Sequence, residues 1–336
     1  MQEPSPNTTH KEVNLIKQYG NILILAIMVV PSISVAGDTK FSGDFRFRYE
    51  ADNNSSKDDS RDRQRLRLRF SMSKDLGMVK VGGRLSTNSE NIQSPHHTLG
   101  FVDASDNSGF GLDRAYMQIS PQTNLKIILG KTGVNWWQQN EVLMDGDISP
   151  EGATLTYGLG PIKLNAAQYI FAEQNWNGVF KDDNLTMIQG VYNGEFGNIK
   201  AIMSGGLAII DYQDTSNTDR QVQSLSAQIN ANNYTVGFDY FTSDMTADNS
   251  GMVGMLKAKF GQYKVSLWYY DVPQNSTIQS SLSQDNFPNS VGFDGYRFQV
   301  GFKLFEHIGT DIRYYMQNMD SDVDISRIQL NLNVKY

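Results

Sequence analysis

The sequence predicts an all-β fold, a transmembrane antiparallel β-barrel of about 16 strands with short periplasmic turns and longer extracellular loops. Three observations predict it. Segments of period-two hydrophobicity recur from residue 41 onward. The connections between them alternate short and long. The last residues alternate apolar and polar up to a terminal aromatic, Tyr336.

The N-terminus comes first in the chain and stands apart. Residues 22–30, ILILAIMVV, are the longest apolar run. The run is too short to cross a hydrocarbon core as a helix, which takes about 20 residues. Lys11 and Lys17 precede it, and Pro31 and the small-x-small pattern Ser34-Val35-Ala36 follow. Residues 1–36 therefore read as a secretory signal peptide and residues 37–336 as a single barrel domain. A buried core helix is the alternative for the apolar run. Export through the inner membrane to the bacterial outer membrane follows from the signal-peptide reading.

The first strand is FSGDFRFRYE, where Phe41, Phe45, Phe47 and Tyr49 alternate with Ser42, Asp44, Arg46, Arg48 and Glu50. The second is RDRQRLRLRF, with Arg61, Arg63, Arg65, Arg67 and Arg69 at every other position and Leu66, Leu68, Phe70 and Met72 on the opposite parity. A helix at roughly 100° per residue would scatter these arginines, whereas a strand gathers them on one face. In the third strand Val79, Val81, Gly83 and Leu85 oppose Lys80, Gly82 and Arg84. Residues 112–119 alternate poorly, and 152–159 and 221–229 are weak. Later segments are clean: Tyr234 to Tyr240, Tyr263 to Tyr269 and Tyr296 to Leu304. The last strand sets Ile328, Leu330, Leu332, Val334 and Tyr336 against Arg327, Gln329, Asn331, Asn333 and Lys335.

Short connections fall at 74–77, 121–124, 158–161, 194–198, 230–233 and 261–262. Between them lie long ones near 51–60, 89–110, 130–151, 172–184, 211–220, 242–250, 271–294 and 317–323. A soluble sandwich has no reason to alternate in this way, so the apolar faces meet lipid. Lipid offers the backbone no hydrogen-bond partners, so the sheet must close on itself. About 16 strands leave a lumen wide enough for water.

Arg46, Arg48, Arg63, Arg65, Arg67, Arg69 and Arg84 then form a basic wall on neighbouring strands. Such a wall repels itself unless anions or carboxylates face it. The connection KTGVNWWQQNEVLMDGDISPEG, residues 131–152, is the expected partner. It carries Lys131, Trp136, Trp137, Glu141, Asp145, Asp147 and Glu151, and is too apolar for a freely solvated loop. Folded inward, it narrows the lumen and sets acids against arginines, producing a transverse field that sorts small solutes. The other arrangement packs this loop over the rim and pairs the arginines with strand acids such as Asp44 and Glu50.

The stretches GDFRFRYE, RQRLRLRF, VGGRLST, LDRAYMQISP, LGKTGVNWW and LMDGDISPEGATLTY resemble the "Putative porin" family of Gram-negative outer membranes, most densely over residues 43–157. The segment GKTGVNWW departs from the proline-phenylalanine-tryptophan form of that loop, having Asn135-Trp136-Trp137. The resemblance implies a diffusion porin for small hydrophilic solutes and ions, with the third loop as constriction, and a homotrimer in contact with lipid and lipopolysaccharide. A substrate-specific channel is the alternative, with Trp136, Trp137, Tyr169 and Trp268 as a stacking track for sugars. A structural or adhesive barrel with a plugged lumen is another.

Other chemistries find little support. The formal net charge of −7 gives no basic field for nucleic acid, and the arginine face lacks interleaved stacking aromatics. The chain has no cysteine, hence no disulfide and no thiolate metal site. His96-His97 reads as a solvated loop tip without a third metal ligand. Acidic groups at Asp58-Asp59, Asp182-Asp183 and Asp320, Asp322 and Asp324 lack the spacing of a calcium loop and read as solvated surface. No nucleophile motif accompanies His307, so neither an enzyme nor a cofactor is expected.

Overall fold

The computed structural model describes residues 38–56, 60–87, 93–100, 109–172, 182–213 and 218–336. The segment read as a signal peptide and the Asp58-Asp59 pair lie outside the described residues. The strands in chain order are β1 (Thr39–Asn54), β2 (Arg61–Asp75), β3 (Val79–Thr87), the two-residue β4 (His97–Thr98), β5 (Phe110–Gln122), β6 (Leu125–Lys131), β7 (Glu151–Leu159), β8 (Ile162–Ala172) and β9 (Asp183–Phe196). They continue as β10 (Ile199–Asp211), β11 (Arg220–Ala231), β12 (Tyr234–Ser243), β13 (Ser250–Phe260), β14 (Tyr263–Val272), β15 (Phe293–Lys303), β16 (Ile308–Met319) and β17 (Asp324–Lys335).

Each long strand pairs antiparallel with its neighbours, and β1 pairs with both β2 and β17. The sheet is therefore closed, a barrel of 16 long strands with no free edge among the described residues. Closure ends on Tyr336, whose N–H donates to Gly43 O at 3.1 Å while Gly43 N–H donates to Tyr336 O at 2.8 Å. The Tyr336 ring lies where a Cβ on residue 43 would stand, so only glycine fits there.

Outward residues are the predicted apolar parity. Leu225, Ile188, Val236, Met203, Leu256 and Leu267 are exposed. Aromatic pairs such as Tyr234–Phe260 and Tyr263–Phe302 lie near the short-turn rim, the placement of an interfacial girdle. The turns at that rim are tight. Asn232 and Gly261 take positive φ (52° and 56°), the conformation that reverses the chain in so few residues.

The poorly alternating segment 112–119 is part of β5. Its pairing with β3 slips at one point: Arg84 opposes Arg114 and Leu85 opposes Leu112, leaving Asp113 as an extra residue. A bulge of this kind breaks the period of two and turns both Asp113 and Arg114 toward the interior.

The interior is more filled than a water-filled lumen alone would be. Residues 132–150 run inside the barrel, and so do residues 273–292, which the sequence presented as an ordinary outer loop. Val142, Met144, Ile278, Leu282 and Phe287 from these loops are buried. They pack with Tyr169, Leu185, Ile210, Phe241, Tyr270, Phe293 and Tyr315 from the wall into one apolar cluster.

Candidate functional site

The register places the arginines of β1 and β2 against one another. Arg46 faces Arg67, and Arg48 faces Arg65. Like charges directly opposite destabilise a sheet, so each guanidinium needs compensation. Glu50 supplies much of it. It is fully buried (0% exposed) and accepts hydrogen bonds from Arg63 Nε and Gln329 Nε2, both at 2.6 Å. Arg48, Arg327 and Arg65 stand 3.8, 3.9 and 4.0 Å away. Asp52 holds Arg327 at 2.6 Å and Arg61 at 2.7 Å.

Asp311 compensates at one remove. Arg46 Nε donates to Asn333 Oδ1 and Arg48 Nε to Asn331 Oδ1, each at 2.7 Å. Both asparagine amides then donate to Asp311 at 3.0 Å, and Arg313 Nε donates to it at 2.5 Å. Two parallel arginine–asparagine relays thus end on one carboxylate. Arg84 pairs with Asp113, the bulged residue, and Ser149 joins Asp113 (3.2 Å) to Arg114 Nε (3.3 Å).

The loop over residues 132–150 is pinned along its length. Asn135 N–H donates to Tyr169 OH at 3.0 Å, and the Trp137 backbone exchanges two 2.8 Å hydrogen bonds with the Gln189 amide. The Trp136 indole lies against Gly206, where any Cβ would overlap it. Gln139 and Asn140 donate to the two oxygens of Asp239 at 2.9 and 2.7 Å. The loop then crosses back, and Asp147 meets Arg69 at 3.0 Å and Arg67 at 3.2 Å. Arg67 and Arg69 also hold Asp44, at 2.9 and 2.7 Å.

The predicted loop acids therefore separate. Only Asp147 faces the arginine wall. Glu141 accepts from Asn286 Nδ2 at 2.6 Å, and Asp145 faces the 273–292 segment. There Asp145 N–H donates to Leu282 O at 2.7 Å, and Asp285 N–H donates to Asp145 Oδ2 at 3.2 Å. Burial and then the neighbouring Glu141 push the Asp145 carboxyl up to about 9. Burial also raises Glu141, reinforced by Asp147. Lys131 and Glu151 stand on the barrel wall and pair with each other at 2.8 Å, because β6 and β7 extend to include them.

Other expectations need correcting. His96 is buried rather than a solvated tip, since the 93–98 segment folds inward and Arg65 Nη2 meets Ser94 Oγ at 2.8 Å beside it. Burial, then Arg48 and Arg65, hold its imidazole well below the usual histidine range. Tyr169 and Trp268 are 1% and 2% exposed and the Trp136 ring is fitted against Gly206, so these three rings form no open stacking track, while Trp137 is pinned through its backbone. Sequence reasoning missed Asp113, Asp239, Asp311, Arg313, Arg327 and the 273–292 segment. The inward parity of Asp311, Arg313 and Arg327 was the available signal.

Residues 53–165 match the family described as "Putative porin". Among curated protein sequences no relative matches the chain. Among solved structures, the high-pH structure of Pseudomonas putida OprB superposes with a TM-score of 0.67 at 10% identity, covering 89% of this chain and 94% of that one. A triple mutant of Rhodopseudomonas blastica porin gives 0.57 at 12%, covering 89% and 100%. Acinetobacter baumannii OccAB4 gives 0.55 at 10%, covering 89% and 98%. The fold is accordingly the porin barrel, and over residues 53–165 the chain is similar to the "Putative porin" family.

Proposed function

We propose that the chain is an outer-membrane porin, a water-filled barrel through which small hydrophilic solutes and ions diffuse passively. The observation that carries this reading is the contact of Asp147 with Arg67 and Arg69 inside a closed barrel. A carboxylate from an inward loop stands against a guanidinium ladder, so a charged solute crossing there meets a field transverse to its path. Sorting is then steric and electrostatic and requires no reaction and no cofactor. An N-terminal signal peptide, contact with lipopolysaccharide and a homotrimer belong to the same proposal.

The test is single-channel conductance of the refolded mature barrel in a planar bilayer with a salt gradient. Steady steps that scale with salt support an open pore, and the sign of the reversal potential gives its charge preference. A folded, heat-modifiable barrel without conductance would overturn the reading. The structural or adhesive barrel with a plugged lumen would then lead, a role the buried 273–292 segment favours.

A further inference from the structure

Two stretches of the barrel wall contrast in how their cations are compensated. On β1, β2, β3, β16 and β17 the arginines have carboxylates within ion-pair reach or are relayed to one. On β13, β14 and β15 the cations are mostly lysines, and Asp239 acts on Lys257 only from beyond ion-pair distance. Lys257, Lys259, Lys264 and Arg297 form no ion pair among the described residues, and none of them is deeply buried. Lys259 and Lys264 stand directly opposite each other in the β13–β14 register, and Arg297 stands opposite Trp268 on β14. Like charges placed face to face without a carboxylate are destabilising unless something else occupies the space between them.

That space exists. The four cations line a cavity of about 620 Å³ toward the short-turn rim, roofed by Gln138, Gln139 and Asn140 of the inward loop. Glu141 alone among its lining residues carries a carboxyl group, and that group is tied to Asn286. Arg313 also reaches the cavity but is held by Asp311.

A second, independent observation concerns unsatisfied donors. Arg297 lies over the Trp268 ring at 4.3 Å, and Lys257 approaches the same ring at 4.8 Å. The stack fixes the guanidinium in orientation. Arg297 Nε is buried without a hydrogen-bond partner, and so is Nε1 of Trp268, itself 2% exposed. Buried donors are otherwise paired, since leaving one unmet costs roughly 1–3 kcal/mol. An oriented guanidinium, mobile ammoniums and amide donors make a receptor for a compact group with several acceptor oxygens.

We propose that this chamber is an anion-binding site for a small polar solute bearing a carboxylate or phosphate group, with Arg297 as the oriented donor and Lys257, Lys259 and Lys264 as its cationic surround. The inference rests on the channel reading and names the class of solute that the channel concentrates on its short-turn side. It is distinct from the arginine wall of β1 and β2, whose charges are already met by Glu50, Asp44 and Asp147.

The experiment measures binding and conductance separately on the same full-length barrel. Inorganic phosphate, gluconate and neutral glucose are titrated into the detergent-solubilised protein by calorimetry, and each is added to one side of a bilayer while current is recorded. Phosphate or gluconate is expected to bind, glucose not, and Arg297→Gln is expected to weaken the anion roughly tenfold. The preferred anion identifies the source of the oxyanion group. Should Arg297→Gln fail to give a heat-modifiable barrel, the more exposed double variant Lys259→Gln/Lys264→Gln carries the test, with weakened binding again expected. Equal binding in the wild type and the variants would place the anion elsewhere and overturn the proposal. Absence of binding by both anions would also overturn it, even with normal conductance. Binding with the expected variant effect but no conductance would leave the site standing and overturn the channel reading instead.

Discussion

Asp147 Oδ1 stands 3.0 Å from Arg69 Nη1, and this contact ties the inward loop to the wall of β2. The same carboxylate serves Arg67, which is only slightly exposed. One loop side chain thus shares with Asp44 the compensation of two arginines. Asp147→Asn is expected to raise anion over cation permeability. A unit charge at 4 Å in water is worth about 1 kcal/mol, a factor of about five in the permeability ratio. Reversal potentials under a salt gradient measure it, and an unchanged ratio would place Asp147 off the conduction path.

Removing the guanidinium should do the opposite. Arg67→Ala removes one positive charge and leaves Asp44 and Asp147 to Arg69 alone, so cation permeability should rise relative to anion permeability by a similar factor. Arg65→Ala should act in the same direction but less, because Arg65 is turned toward Ser94 and Glu50. Unchanged selectivity in both variants would remove this ladder from the constriction.

Glu50 predicts a stability effect. It is fully buried among Arg63, Arg48, Arg65 and Arg327. Neutralising one partner of such a network leaves buried charges uncompensated, at a cost of about 3–5 kcal/mol. Glu50→Gln should lower the denaturation temperature of the heat-modifiable barrel clearly. Glu195→Gln is the control, since Glu195 pairs with Lys200 in full view of solvent and such a pair contributes about 1 kcal/mol or less. Equal shifts in the two variants would contradict the network.

Asp145 predicts a pH dependence. Its carboxyl is raised from 3.8 to about 9 by burial, then by Glu141 and Asp285. The packed loops therefore hold a proton that the released loops would lose. Their packing is most stable below about pH 4, weakens as pH rises, and has lost this contribution once pH passes about 9. Open-channel noise and mean conductance should rise through that upper limit, and Asp145→Asn should flatten the response. A variant with the wild-type pH profile would assign the change to other groups.

The barrel was legible because lipid on one side and water on the other impose a strict period of two on each strand. The arginine series of β2 could only be a strand, and its parity already told which side faces inward. β5 hid itself for a local reason, the extra residue Asp113. The contents of the lumen were less legible. Residues 273–292 are rich in Ser, Asn and Gln and carry Ile278, Leu282 and Phe287 singly, so no periodicity marks them as buried. Their burial depends on what stands opposite, which strand closure decides. The partners of Glu50 illustrate the same limit. Arg327 and Gln329 lie at the far end of the chain and reach Glu50 only because β17 pairs with β1.

The hydrogen bond from Asp285 to Asp145 joins residues 140 apart in sequence. Loop closure over such a length is entropically costly and slow relative to pairing adjacent strands. The narrowing therefore has an assembly order: β6 and β7 can deliver Asp145 to the interior early, yet its partner arrives only after β14 and β15 have paired. Pairing of β1 with β17 spans nearly the whole described chain, a longer closure still, so the two halves of the filter can meet before the wall is sealed.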